Sequence, residues 1–414
     1  MKSLIHLSCL LFIVFNTLAQ PFKEYHKNDS LAIEGVLKDG LKHGFFSYYD
    51  EQGNLWMQGN YEADQKNGWW KIWYKTGVLQ AEGEVKNDLR EGLWKTYHHA
   101  GYLDRENMYK NDLLNGQTKT YYPNGVLKFD GNYKNDLLEG YAFWYYPDGV
   151  KEMEGASKRD LQDSAWIFYH SNGVVGSRGS FKNGLQDGAW VYFYETGEKW
   201  KEGSYENGKR QGLWKAYYEN GDLQRIGSFV NDKEDGHWKQ YYTGNKIQKE
   251  GSFKNGELTG TWTNYYLNGI VQSHTRYKNN LKNGFCEQFF DTGKKRIISN
   301  YKDDELHGAY ETYNPLGICE EKGAYKNGKK SGKWVFQDTR GRIIREQSFK
   351  ANFPDGKTTE YYANGKKQSE GSYSNQLKTG TWTIWNDKGE IQYQAVYDKG
   401  KEVKIIINKK IGIK

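Results

Sequence analysis

Three residue patterns in this 414-residue chain invite a chemical reading. The first is a tryptophan row: Trp70, Trp94, Trp166, Trp190, Trp214, Trp238 and Trp262 recur at multiples of one spacing. Indoles in a row can stack on the sugar rings of a polysaccharide or on aromatic side chains of a partner protein, so these seven are the candidate ligand-binding residues. The second pattern is a set of acids in phase with that row, Glu82, Glu154, Glu202 and Glu250 among them. Two carboxylates roughly 5–10 Å apart are the equipment of glycoside hydrolysis. Here the acids recur along the chain, whereas catalysis needs one special cleft, so repetition assigns them structural work. The third pattern is nine histidines and three cysteines. None of the histidines has metal-ligand spacing, and alternation at a strand end is expected to point the rings of His98 and His99 apart. There is no Cys-x-x-Cys, His-Glu-x-x-His or Gly-x-Ser-x-Gly motif. Phosphate-cradling glycine loops join a strand to a helix, and these glycines end hairpins instead. The expectation is a protein that is not an enzyme, with no cofactor and no metal.

A repeat positions the tryptophans. From Gly44 to Gly380 every twenty-fourth residue is glycine except Ser164, fourteen of fifteen with no insertion or deletion. Counting that residue as zero, position +2 is Trp in nine units, the seven above with Trp334 and Trp382. Position +5 is aromatic in fourteen, +9 is Gly in fourteen, +15 is Gly in ten, +17 is aromatic in thirteen, and eight units carry an acid at +14. Position +20 is Gly, Asp or Asn in fourteen. A clean unit is GLWKAYYENGDLQRIGSFVNDKED, Gly212 to Asp235.

Composition agrees with a glycine- and aromatic-rich β protein. There are 48 Gly and 16% aromatic residues, but only 5 Pro, and mean hydropathy is −0.95. Aromatic richness argues against disorder, and the absence of a three-residue glycine period excludes collagen. Only one apolar run is long enough to consider as a span, so a multi-span membrane protein is not expected. The net charge of +7 is thinly spread and no run of five like charges occurs, so nucleic acid is not an expected partner.

Each unit holds two turn signals, at +7 to +9 and at +18 to +20, both read as three-residue hairpin loops closed by a left-handed residue. Strand A then spans about −3 to +6, and strand B about +10 to +17. That loop sets +5 opposite +11 and +2 opposite +14. One face would carry +5, +11, +15 and +17, while the other carries the Trp row and the acids. The fold class is all-β: an elongated single-sheet tandem β-hairpin repeat protein of about fifteen 24-residue units. In this arrangement Cys286 and Cys319 are three strands apart, about 14 Å, too far for a disulfide.

The ends differ from the array. Lys2, the apolar run Leu10 to Phe15 and small residues before Gln20 read as a secretory signal peptide over residues 1–19. The chain left after its removal carries two cysteines and no transmembrane segment. Residues 20–43 read as an N-terminal capping half-repeat, 44–397 as the hairpin array, and 398–414 as a C-terminal capping strand. An exported, periplasmic, outer-envelope or extracellular location follows from the leader.

The units resemble the MORN-repeat family, most closely its bacterial variant form. The carrying residues are GLWKAYYENG at Gly212 to Gly221 and EGSFKNG at Glu250 to Gly256, and the resemblance covers roughly residues 30 to 400. It implies a β-hairpin scaffold for protein association, with phospholipid binding known for some members and an antitoxin label on some bacterial ones. It brings no catalytic residues.

The leading expectation is therefore a non-enzymatic, exported or envelope-associated scaffold that binds protein partners. The alternatives are polysaccharide binding through the Trp row, which requires exposed indoles, and binding to anionic lipid through Lys at +3 and the turns. An antitoxin-like role requires a cytosolic toxin.

Overall fold

The computed structural model describes residues 19–409. The leader expected over residues 1–19, all but its last residue, lies outside the described residues, as do 410–414 at the C-terminal end. The described residues form 35 strands and no helix. They divide into two compact units, up to Gly197 and from Glu198 onward. Within each unit, consecutive strands pair antiparallel, so each unit is a continuous meander.

The Gly212 repeat shows how sequence makes the hairpin. Strand A is Lys209–Tyr217 and strand B is Leu223–Val230. Between them Tyr218 N–H donates to Asp222 C=O at 2.8 Å, and Gly221 N–H to Tyr218 C=O at 2.9 Å. Gly221 has φ +84°, which closes the expected three-residue loop. The second connection is shorter than expected. Only Asn231 and Asp232 separate Val230 from Lys233, and both have positive φ, 50° and 68°. Two consecutive left-handed residues make a type I′ turn, whose twist matches the flanking strands.

Register departs from expectation in a way that reorganises both faces. Tyr217 is opposite Leu223 as expected, but a bulge follows. Beyond it Lys215 faces Ile226, and Trp214 faces Gly227 rather than Ile226. One extra residue in a strand exchanges the faces of everything past it. The Trp position therefore joins the +15 glycine and the +17 aromatic on one face, and the +14 acid leaves it.

The N-terminal end also holds more than a half-repeat. Gln20–Tyr25 forms a strand A paired with Leu31–Lys38, with Phe22 in the Trp position. Lys401–Asn408 forms a strand that pairs with Ile391–Asp398.

Candidate functional site: the tryptophan row

The seven candidate tryptophans are 2–8% exposed. Three features bury them. Each indole lies over the +15 glycine of the preceding unit. A Cβ built on Gly227 would stand 2.0 Å from Trp238 Cδ2, and one on Gly83 would stand 2.4 Å from Trp94 Cδ2. Each indole N–H donates to the main-chain carbonyl next to that glycine, at 2.7–3.2 Å. The +17 aromatics then stand edge-on between successive indoles. Phe229 is 5.1 Å from Trp238, Phe253 is 6.1 Å beyond it, and Trp262 is 5.0 Å from Phe253, all at 80–85°. Edge-to-face pairs contribute about 0.5–1.5 kcal/mol each beyond burial. Cations close the row from above, with Lys66 4.8 Å from the Trp70 ring and Arg225 4.1 Å from Trp238.

The row is thus the aromatic core of each unit. It brings Trp70 and Trp94 together in the first unit and Trp214, Trp238 and Trp262 in the second, with covered faces that leave no platform for a sugar ring. The exposure that polysaccharide binding would require of Trp190, Trp214 and Trp238 is not present: the bulge places them on the packed face.

A rule internal to the chain accompanies this packing. All nine Trp at +2 follow a Gly at +15 of the unit before. Where +2 is Thr118, Cys286, Tyr310 or Thr358, that position is Asn107, Thr275, Ser299 or Gln347. A glycine inside a strand marks close approach by another group, and this pairing was the signal that could have placed the indoles.

The match to known families fits this register. The model of the MORN repeat variant matches residues 114–135, 186–207, 210–231, 234–255, 258–279 and 354–375, each starting two residues before the phase glycine. These six segments are similar to MORN repeat variants. No curated protein matches the chain. Similar solved structures are TcdB2-TccC3-Cdc42, at 10% identity over 91% of this chain and 24% of that one, and TcdB2-TccC3, at 10% over 94% and 25%, both with a TM-score of 0.16. The Photorhabdus luminescens Tc holotoxin pore matches at 10% over 92% and 24%, also at 0.16. The chain spans about a quarter of the length of those chains.

The acids at +14 hold neighbouring repeats together. Tyr97 Oη donates to Glu82 at 2.9 Å, Tyr121 to Glu106 at 2.7 Å, Tyr217 to Glu202 at 2.6 Å and Tyr265 to Glu250 at 2.7 Å. The strand-A lysines neutralise the same acids: Lys71 lies 3.3 Å from Glu82, Lys95 3.2 Å from Glu106 and Lys239 3.4 Å from Glu250. Burial, and then the bond to a carboxylate, pushes the Tyr97, Tyr121, Tyr217 and Tyr265 phenols up to about 12. The Tyr121 hydroxyl holds Glu106 below the usual carboxylate range, and the Tyr265 hydroxyl does so for Glu250. Paired in this way, these lysines offer little charge to an anionic lipid.

Other ladders repeat between units. Asp88 accepts the Lys66 N–H at 2.9 Å, Asp136 the Leu114 N–H at 2.7 Å and Asp232 the Arg210 N–H at 2.9 Å. Tyr218 Oη reaches the Tyr241 carbonyl and Tyr242 Oη the Tyr265 carbonyl, at 2.8 and 3.1 Å.

The remaining candidates are isolated. The His98 and His99 rings lie 3.8 Å apart rather than pointing away, because His99 is in the turn, where alternation fails, and His98 stacks on Tyr102. Among the described residues no group of three or more His, Cys, Asp or Glu could hold a metal ion. Cys286 is buried, Cys319 is half-buried, and both are free. No helix among the described residues is long and apolar enough to cross a membrane.

Proposed function

We propose that this chain is an exported, non-enzymatic repeat scaffold that binds a partner protein along an apolar edge of its first unit. A leucine row carries this reading. Leu41, Leu89, Leu113, Leu137, Leu161 and Leu185 all begin strand A just after the type I′ turn, and each is 39–50% exposed. Folding does not require leucine there. At the same position the first unit also has Gln65, and the second has Lys209, Lys233, Glu257, Glu305 and Lys329 besides the exposed Leu281, Phe353 and Leu377, so the strand forms with polar and apolar residues alike. An exposed apolar row that the fold can do without is a surface kept for contact. The polar groups common to the repeats are occupied by neighbouring units, which supports a non-enzymatic role. The leader over residues 1–19 supports export.

The test is a cross-linked pull-down from the envelope fraction, comparing wild type with Leu89→Asp/Leu113→Asp/Leu137→Asp. The expected result is a discrete protein captured by wild type and lost by a variant with an unchanged melting curve. Capture by both, or by neither, ends this reading. N-terminal sequencing of the exported protein should begin at Gln20; an uncleaved cytosolic chain would remove the export part.

A further inference from the structure

In the second unit, one row of directly paired residues runs Arg225, Gln240, Lys249, Asn264, Ser273 and Gln288, one per strand. No acid occurs in it. The corresponding row of the first unit begins Ile33, Tyr48, Met57, Ile72 and Ala81, and belongs to the apolar core. Two adjoining cavities, of about 170 and 260 Å³, open along the polar row and share Asn264 and Tyr277. Neither lining includes a carboxylate. Five cations do line them. Arg225 is 2.5 Å from Glu234 and Lys239 is held by Glu250. The side chains of Lys249, Lys282 and Arg296 have no carboxylate within ion-pair distance among the described residues; the Lys282 ammonium rests 5.1 Å from the Tyr301 ring and Arg296 5.9 Å from the Phe290 ring. This is not a general property of the sheet. A cavity farther along, bounded by Lys333, Lys357 and Lys367, is neutralised by Glu346 and Glu370 at 2.6–3.0 Å.

We propose that this acid-free strip binds an extended, acid-rich peptide segment of a partner protein. The proposal rests on the protein-binding reading but uses a different surface from the leucine row. Six strands span roughly 24 Å, the length of about seven extended residues. Gln240 and Gln288 each present an amide donor and acceptor, the complement of a peptide group, and Asn264, whose Nδ2 donates to Ser273 Oγ at 2.9 Å, presents its acceptor oxygen. Lys249, Lys282 and Arg296 supply charge for its carboxylates. A glycan fits less well, because Trp238 and Trp262 beneath the strip have their faces covered.

The experiment uses the full mature chain and a fluorescent seven-residue peptide alternating Glu and Ser, its Gln-for-Glu counterpart, and oligogalacturonate. Anisotropy should show binding of the Glu peptide that weakens with salt, and binding of the Gln peptide about tenfold weaker or less. Lys249→Gln/Lys282→Gln/Arg296→Gln should lose about tenfold or more, while Lys249→Arg keeps affinity and shows that charge, not folding, is read. The Leu89→Asp/Leu113→Asp/Leu137→Asp chain should bind the Glu peptide like wild type, so failure of the leucine reading leaves this one standing. Equal binding of both peptides, an unaffected triple variant, or displacement of the peptide by oligogalacturonate would overturn it.

Discussion

Trp238 lies over Gly227 of the preceding unit with no space for a methyl group between them. Gly227 lacks the positive φ of the turn glycines, so its need for glycine is set by the indole alone. Gly227→Ala should destabilise the second unit by about 1–3 kcal/mol through overpacking, measured by urea unfolding. Adding Trp238→Leu should recover part of that loss. An additive double variant would mean that the two residues are not coupled.

One place in the first unit lacks both the Trp and its glycine, and leaves a defect. Thr118 stands in the Trp position opposite Asn107, and Thr118 Oγ1 and Asn107 Oδ1 are buried without hydrogen-bond partners. Asn107→Gly/Thr118→Trp should stabilise the unit by about 1–3 kcal/mol, by removing unsatisfied polar atoms and completing the row. Thr118→Trp alone should destabilise it, because Asn107 occupies the space above its backbone. Thermal melts of the three chains would show whether the order holds.

The Tyr–Glu ladder gives stability a pH dependence of known sign. With phenols raised to about 12 in Tyr97, Tyr121, Tyr169, Tyr217 and Tyr265, the folded chain holds these protons more tightly than the unfolded chain, whose value is 10.0. Their contribution is complete below pH 10 and is lost as pH rises toward 12. At the acid end the lowered Glu106 and Glu250 act oppositely: their contribution is present above the usual carboxylate range and lost as pH falls below it. Phenolate absorbance should therefore appear together with unfolding at alkaline pH. Tyr217→Phe/Tyr265→Phe should flatten the alkaline limb, and an unchanged limb would show that the ladder does not control it.

The type I′ turn imposes a different demand. Asp136 has φ +66° and accepts the Leu114 N–H, while five units place Gly at this position, among them Gly184 and Gly256. Asp136→Gly should cost under about 1 kcal/mol. Asp136→Leu loses the hydrogen bond and forces a bulky residue into left-handed backbone, about 1–2 kcal/mol more. Equal melting temperatures for the two variants would contradict this account.

Much of the architecture was legible because the period is strict. Two turn signals every 24 residues located both strands to within a residue or so, as Lys209–Tyr217 and Leu223–Val230 show. What the sequence did not disclose is the bulge at Gln224, which is left unpaired between Leu223 opposite Tyr217 and Arg225 opposite Ala216. A bulge is a backbone event, and its residues here, Leu223 and Gln224, carry no turn signal, so alternation was counted through it and the Trp row went to the wrong face. The second turn was readable but misjudged: adjacent Asn and Asp tolerate left-handed backbone, and Asn231-Asp232 is a two-residue signal in its own right. The polar strip was not legible, because Arg225, Lys249 and Asn264 fall outside the repeating positions and only pairing register brings them side by side.

The inter-unit ladders have a consequence for how the chain is made. The partners of each ladder, such as Asp232 with Arg210 or Tyr218 with Tyr241, are 22–23 residues apart in sequence. No unit needs a distant stretch of chain to complete its contacts; it needs only the unit made just before it. Such a protein can form progressively from its N-terminal end, each new hairpin settling on a finished template while the rest is still being synthesised. The same locality makes the array extensible, since duplication of one 24-residue segment in register supplies a new hairpin with both of its neighbours already correct.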